Sequence, residues 1–190
     1  MTQKKIPKKP RKLSKSYLEN AALHYMGRYA CTEAQLAAVL KRKIMRSAMF
    51  HDQNAEDFMP IVAELVTRYA RVGLLDDAGF ARNKTDSLRR SGKSTRVIGQ
   101  KLRLKGVPDD LIRAALSSET ASGDEEKTAD DIAADIFARK KHLGPYRKKA
   151  VSDARKADMN DIAKMARAGF DLDTIRRTLN NKNGLSDLSD

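Results

Sequence analysis

Ten cations stand between residues 82 and 113: Arg82, Lys84, Arg89, Arg90, Lys93, Arg96, Lys101, Arg103, Lys105 and Arg113. Only Asp86, Asp109 and Asp110 oppose them in that stretch. Long cationic side chains on exposed faces pair with carboxylates or phosphates. Arg does so as a planar bidentate fork and Lys as a point charge. A single such residue can equally belong to a solvated helix face, but the set as a whole predicts a partner surface. Arg139, Lys140, Lys141, Arg147, Lys148 and Lys149 form a second cluster.

Other combinations imitate catalytic or ligand sites and fail on spacing. Asp76 and Asp77 are adjacent at an expected helix start, where their side chains diverge, so capping explains them better than paired acid–base work. Gly92-Lys93-Ser94 resembles the end of a phosphate-binding loop. However, Ser87 stands where the earlier Gly is required, and a helix is expected ahead of it rather than a strand. His24, His51 and His142 share no ligand spacing with one another or with Cys31, so no metal is expected. Cys31 has no base near it in sequence and is expected to be a packed residue. No catalytic residue, cofactor or enzymatic activity is predicted.

The elements that must position the cations are helical. Tyr17, Leu18, Ala21, Ala22 and Tyr25 recur at helical spacing, and that segment should end near Arg28. Thr32 is expected to cap a second helix carrying Leu36, Val39 and Leu40. The segment from Met45 to Met59 could extend that helix and then form a loop before Pro60. A third stripe, Ile61, Val62, Leu65, Val66 and Tyr69, should stop at Gly73. A fourth helix is predicted from Asp76 or Asp77 to Ser91-Gly92. A fifth, capped by Ser94, should close at Gly106, and a sixth should carry Pro108 in its first turn. Beyond a small, polar linker come the stripe Ile132, Ile136 and Phe137, a break at Gly144-Pro145, and two more helices. Strand alternation is absent, so the fold class is all-α.

Residues 102–116, LRLKGVPDDLIRAAL, and 165–179, MARAGFDLDTIRRTL, align without a gap. Gly106 then meets Gly169, Val107 meets Phe170 and Ile112 meets Ile175. Each copy describes a helix, a Gly at the left-handed exit, an apolar anchor, a cap and a second helix. A partial earlier copy, Leu36 to Ile44, places Ile44 where the Gly should be. Three tandem three-helix units are therefore expected: residues 16–73, 74–117 and 125–181. They would be flanked by a basic tail at 1–15, a linker at 118–124 and a C-terminal tail at 182–190. Units that touch only their neighbours predict an elongated, curved molecule.

The chain has 190 residues, 33% of them charged, 41% hydrophobic and 5% aromatic, which suits amphipathic helices with modest aliphatic cores. A net charge of +13 favours a polyanionic partner. In the N-terminal tail, Lys4, Lys5, Lys8, Lys9, Arg11, Lys12 and Lys15 stand without an acid, either as a solubilising arm or as a contact. One cysteine rules out an internal disulfide, no apolar run is long enough to span a bilayer, and no signal-type apolar region follows the basic start. A cytoplasmic location without membrane association is expected.

The stretch GLLDDAGFAR at 73–82 and the following SLRRSGKSTRVIGQKLRLKGVPDDLIRAAL at 87–116 resemble the RecX family of RecA regulators. The residues that carry the resemblance are Gly73, Leu74, Asp76, Asp77, Phe80 and Ala81, then Gly92, Arg96, Val97, Leu102, Lys105, Gly106 and Val107. Tyr25, Arg28, Thr32, Leu36 and Leu40 look like the family's opening helix pair, and residues 166–179 like its closing element. Here the first unit departs from the family by lacking the Lys-Gly turn after its second helix. The resemblance implies a negative regulator that binds in the groove of the RecA–DNA filament. It would inhibit filament growth, ATPase, recombinase and coprotease activities. The implied partners are RecA and single-stranded DNA, with double-stranded DNA a further candidate, and the ten cations would form the contact surface. Nothing asks for an obligate dimer, so a monomer is expected. The rival reading is a helix–turn–helix protein acting directly on DNA through residues 94–116.

Overall fold

The computed structural model describes residues 9–117, 127–148 and 152–180. Among them are nine α-helices and no strand. In order they are α1 (Lys15–Met26), α2 (Glu33–His51), α3 (Met59–Arg71), α4 (Asp77–Arg90), α5 (Thr95–Arg103), α6 (Asp109–Ser117), α7 (Ala129–Lys141), α8 (Ala154–Arg167) and α9 (Leu172–Asn180). The chain divides into two compact units, one ending at Phe80 and the other beginning at Ala81, within α4.

In the first unit, Leu18, Leu36, Leu40, Ile44, Val62, Leu65 and Tyr69 form one aliphatic core from α1, α2 and α3. Ser14 caps α1 by accepting from the Tyr17 amide. A capping box starts α2: Thr32 Oγ1 accepts from the Gln35 amide at 3.1 Å, and Gln35 Oε1 accepts from the Thr32 amide at 3.3 Å. Cys31 is buried beside this start, and burial followed by the nearby Asp77 carboxylate pushes its thiol above the ordinary range. A 3₁₀ turn at Glu56–Phe58 leads into α3, whose first turn holds Pro60.

The Met45–Met59 segment resolves into more helix than loop. The second helix continues through Ile44, which is fully buried, and ends only at His51. Asp52 takes the left-handed exit (φ 52°), and the Gln53 amide bonds to the Ala48 carbonyl. The left-handed exit therefore lies eight residues beyond Ile44, on an Asp, whose short polar side chain tolerates that conformation.

In the second unit the two matched turns are superimposable in their bonding. The Val107 amide bonds to the Leu102 carbonyl at 3.2 Å, and the Phe170 amide to the Met165 carbonyl at 3.3 Å. Gly106 and Gly169 sit at φ 77° and 85°, a region that a Cβ penalises. Leu102, Met165, Ile112 and Ile175 are buried, as are the anchors Val107 and Phe170. Pro108 precedes α6 rather than lying inside it, and its carbonyl accepts the Ile112 amide.

Two sequence expectations are corrected. The expected stripe on α7 fails at Ile132, which is 52% exposed, while Phe137 packs partly buried against the core and the fully buried positions are Ala133, Ala134 and Ala138. The turn after α4 packs directly on the backbone of α7, which is why residue 92 is a Gly. A Cβ on Gly92 would come within 2.9 Å of the Phe137 amide nitrogen and 3.1 Å of the Ala133 carbonyl. The second correction concerns the adjacent acids. Asp76 caps α4, accepting from the Gly79 amide at 2.8 Å, whereas Asp77 accepts from the Glu33 amide at 2.9 Å and so caps α2.

Candidate binding surface

The turn that joins α4 to α5 is built from local rules. Gly92 (φ 75°) ends α4, with the Lys93 amide bonded to the Leu88 carbonyl. Ser94 then caps α5 by accepting from the Val97 amide, and its hydroxyl donates to the Ala168 carbonyl at 2.8 Å. Gly92-Lys93-Ser94 is thus a helix-to-helix turn seated against α7 and the Gly169 turn, not a phosphate loop.

From these elements the ten cations project unequally. Arg82, Arg90, Arg96, Lys101, Arg103, Lys105 and Arg113 are exposed, while Lys84, Arg89 and Lys93 are half-buried. Buried Ile98, Gly99 and Leu102 define the inner face of α5. Helical spacing aligns Arg96, Gln100 and Arg103 on the opposite face, with Lys101 on its flank. On α4, Arg82, Asp86 and Arg90 follow one line at steps of four.

Arg89 is committed inward. Its guanidinium bonds to Asp130 of α7 and to the Thr95 hydroxyl. Asp130 Oδ1 also accepts from the Thr95 amide and hydroxyl, each at 2.8 Å, and so caps α5 from another helix. This Arg–Asp pair is only 11% and 21% exposed, so it joins α4, α5 and α7 rather than presenting charge. Arg103 pairs with Asp109 at 2.7 Å on the open surface, where both side chains are about 60% exposed. Arg82, Lys84, Arg90, Lys93, Arg96, Lys101 and Arg113 have no ion-pair partner among the described residues.

In the second cluster the two arginines are consumed internally. Arg139 pairs with Asp135 at 2.9 Å and lies over the Tyr146 ring at 5.1 Å. Arg147 reaches Asp158 and Asp161, both at 2.7 Å. Asp161 is 6% exposed and also accepts from the Gly144 amide and from Lys164. Burial acts to raise its carboxyl, but Gly144, Arg147 and Lys164 outweigh that and hold it below the ordinary carboxylate range. The Lys140 ammonium approaches the Arg90 carbonyl at 3.5 Å. Lys149 lies outside the described residues.

Sequence reasoning missed Asp130 and Asp161, the two acids that decide which arginines are spent. Neither pairing carries a local signature, since the arginine partners lie 14 and 41 residues away. The capping box at Thr32 and Gln35 was readable from spacing alone. Among the described residues no group of three or more His, Cys, Asp or Glu could hold a metal, and no helix is long and apolar enough to cross a membrane.

Known proteins resemble this chain over most of its length. The family described as RecX, second three-helix domain, matches residues 76–116, the segment that carries the exposed cations. The regulatory protein RecX of Myxococcus xanthus is 45% identical over 173 residues, covering 91% of this chain and 89% of that one. The regulatory protein RecX of Agrobacterium fabrum is 35% identical over 155 residues, covering 82% and 77%. The crystal structure of RecX from Lactobacillus salivarius shares the fold with a TM-score of 0.63 at 20% identity, covering 88% of this chain and 96% of that one.

Proposed function

The chain belongs to the RecX family of regulatory proteins, and from that premise we propose that it is a cytoplasmic, non-enzymatic inhibitor of RecA. It lies in the groove of the RecA–DNA filament and restrains filament growth, ATPase, recombinase and coprotease activities. It acts as a monomer, with RecA as the principal partner and DNA as the secondary one. The division into three tandem three-helix repeats, at residues 16–73, 74–117 and 125–181, belongs to the same proposal.

One observation carries the reading. Within the matched segment 76–116, Arg82, Arg90, Arg96, Lys101 and Arg113 are exposed and have no ion pair among the described residues. Cations left unpaired by the fold are available to filament carboxylates and DNA phosphates. Arg89 acts at one remove, holding α4 and α5 in place through Asp130.

The test is single-stranded-DNA-dependent ATP hydrolysis by RecA from the same organism, with this protein titrated in at fixed salt. Substoichiometric inhibition is expected, because one bound molecule then affects several protomers. The triple variant Arg90→Glu, Arg96→Glu, Lys101→Glu should relieve inhibition while melting at the wild-type temperature. Inhibition only when the protein saturates the DNA would favour the helix–turn–helix reading, with the steep salt dependence of phosphate contacts. No inhibition at any ratio would overturn the RecA assignment.

A further inference from the structure

The extra length of α2 creates two faces with different fates. Its inner side clasps the N-terminal segment. The Ser47 hydroxyl donates to the Arg11 carbonyl at 2.6 Å, and His51 Nε2 donates to the Pro10 carbonyl at 2.8 Å. Gln53 accepts the Leu13 amide at 2.8 Å, and Leu13 itself is buried. The backbone of residues 10–13 is thereby held against the helix.

Among the described residues nothing covers the outer side. Met45 and Met49 are 57% and 88% exposed, one turn apart, on this solvent-facing side of α2. Lys41, Arg42 and Arg46 share that side, with Asp52 the acid at its far end. None of these three cations has an ion-pair partner among the described residues. The face therefore combines an apolar pair with a cationic border. Methionine is flexible and polarisable, so the Met pair moulds itself to an apolar side chain from a partner. Phosphates would satisfy the cations but leave the two Met side chains in water.

We propose that Met45, Met49, Lys41, Arg42 and Arg46 form a docking face for an acidic amphipathic helix of a partner protein, separate from the cations of α4 to α6. The partner's apolar residues, spaced three or four apart, seat on Met45 and Met49, and its carboxylates meet the three cations. Charge complementarity selects this occupant, because an apolar stripe flanked by acids satisfies both features at once.

The test uses the full-length protein and a fluorescein-labelled peptide of about 18 residues, with Leu at every third or fourth position and Glu elsewhere. Fluorescence anisotropy should show saturable binding that Met45→Gln with Met49→Gln weakens about tenfold. Arg42→Gln with Arg46→Gln should weaken it similarly. A peptide of the same composition with the Leu stripe scrambled should bind far more weakly. All four side chains are exposed, so thermal melts should match the wild type and exclude misfolding. Equal affinity for the scrambled peptide, or indifference to the Met substitutions, would overturn the docking face. So would a labelled oligothymidine losing affinity in these variants while the peptide does not. Self-association abolished by the Met pair would assign the face to a second copy instead. RecA inhibition by the Met pair should stay at the wild-type level, so failure here is distinguishable from failure of the RecA assignment.

Discussion

On α4 to α6, Arg82, Arg90, Arg96, Lys101 and Arg113 stand in solvent without an ion-pair partner among the described residues, whereas Arg139 and Arg147, on α7 and the turn after it, are each held by acids of their own unit. Both stretches are dense in Lys and Arg, and both were candidates for a partner surface. The difference lies in which acids the fold brings near. Asp135 lies one turn before Arg139, and α8 delivers Asp158 and Asp161 to Arg147. On the exposed surface of α5 and α6, Arg103 pairs with Asp109 from the following turn. Arg89 shows that the division cuts through the first stretch too, since Asp130 removes it from the surface.

This contrast can be broken from the buried side first. Asp161→Ala would leave Arg147 without its most buried partner and strip the Gly144 amide of its acceptor. A loss of about 3 kcal/mol is expected from breaking such a pair, read by urea denaturation. The same residue sets a pH signature. Its carboxyl is lowered in the folded protein, so the stability it contributes is complete well above the unfolded carboxyl value of about 3.9 and is lost as pH falls through the folded value. Asp131, where burial is outweighed by Thr128 and Arg177, acts in the same direction. Asp77 in the first unit acts oppositely. Burial raises it against the Glu33 amide, so protonation at acid pH relieves a cost there. Amide exchange should therefore show α7 to α9 loosening before α1 to α3 as pH drops from about 5 to 3. Simultaneous loosening would remove the distinction.

A smaller effect is expected from Arg89→Met. It should cost about 2 kcal/mol, because the pair with Asp130 is only partly enclosed and Asp130 keeps its bonds to Thr95. If Arg89→Met melted like the wild type while RecA inhibition fell, Arg89 would belong with the contact residues after all. At the small end, Arg103→Ala breaks a solvent-exposed pair with Asp109 and should change stability by less than about 0.5 kcal/mol. A larger loss would mean that the exposed cations of α5 also serve the fold.

The amino-acid sequence by itself determined the elements. Helix periods, the caps at Thr32 and Ser94, the stop at Gly73 and the matched turns at Gly106 and Gly169 all depend on residues within five positions of one another. A reader of the chain holds every partner of such an interaction in view. The all-α class and the place of the cations on α4, α5 and α6 follow from that. What only the tertiary structure decided was which charges are spent. Asp77 caps a helix that starts 44 residues earlier, and Asp130 binds an arginine 41 residues before it. The Gly at position 92 was decided the same way, since the turn it centres packs against the α7 backbone at Ala133 and Phe137 and leaves no room for a Cβ. Local bonding is written in spacing, whereas the reach of a carboxylate and the approach of two backbones depend on how distant helices pack.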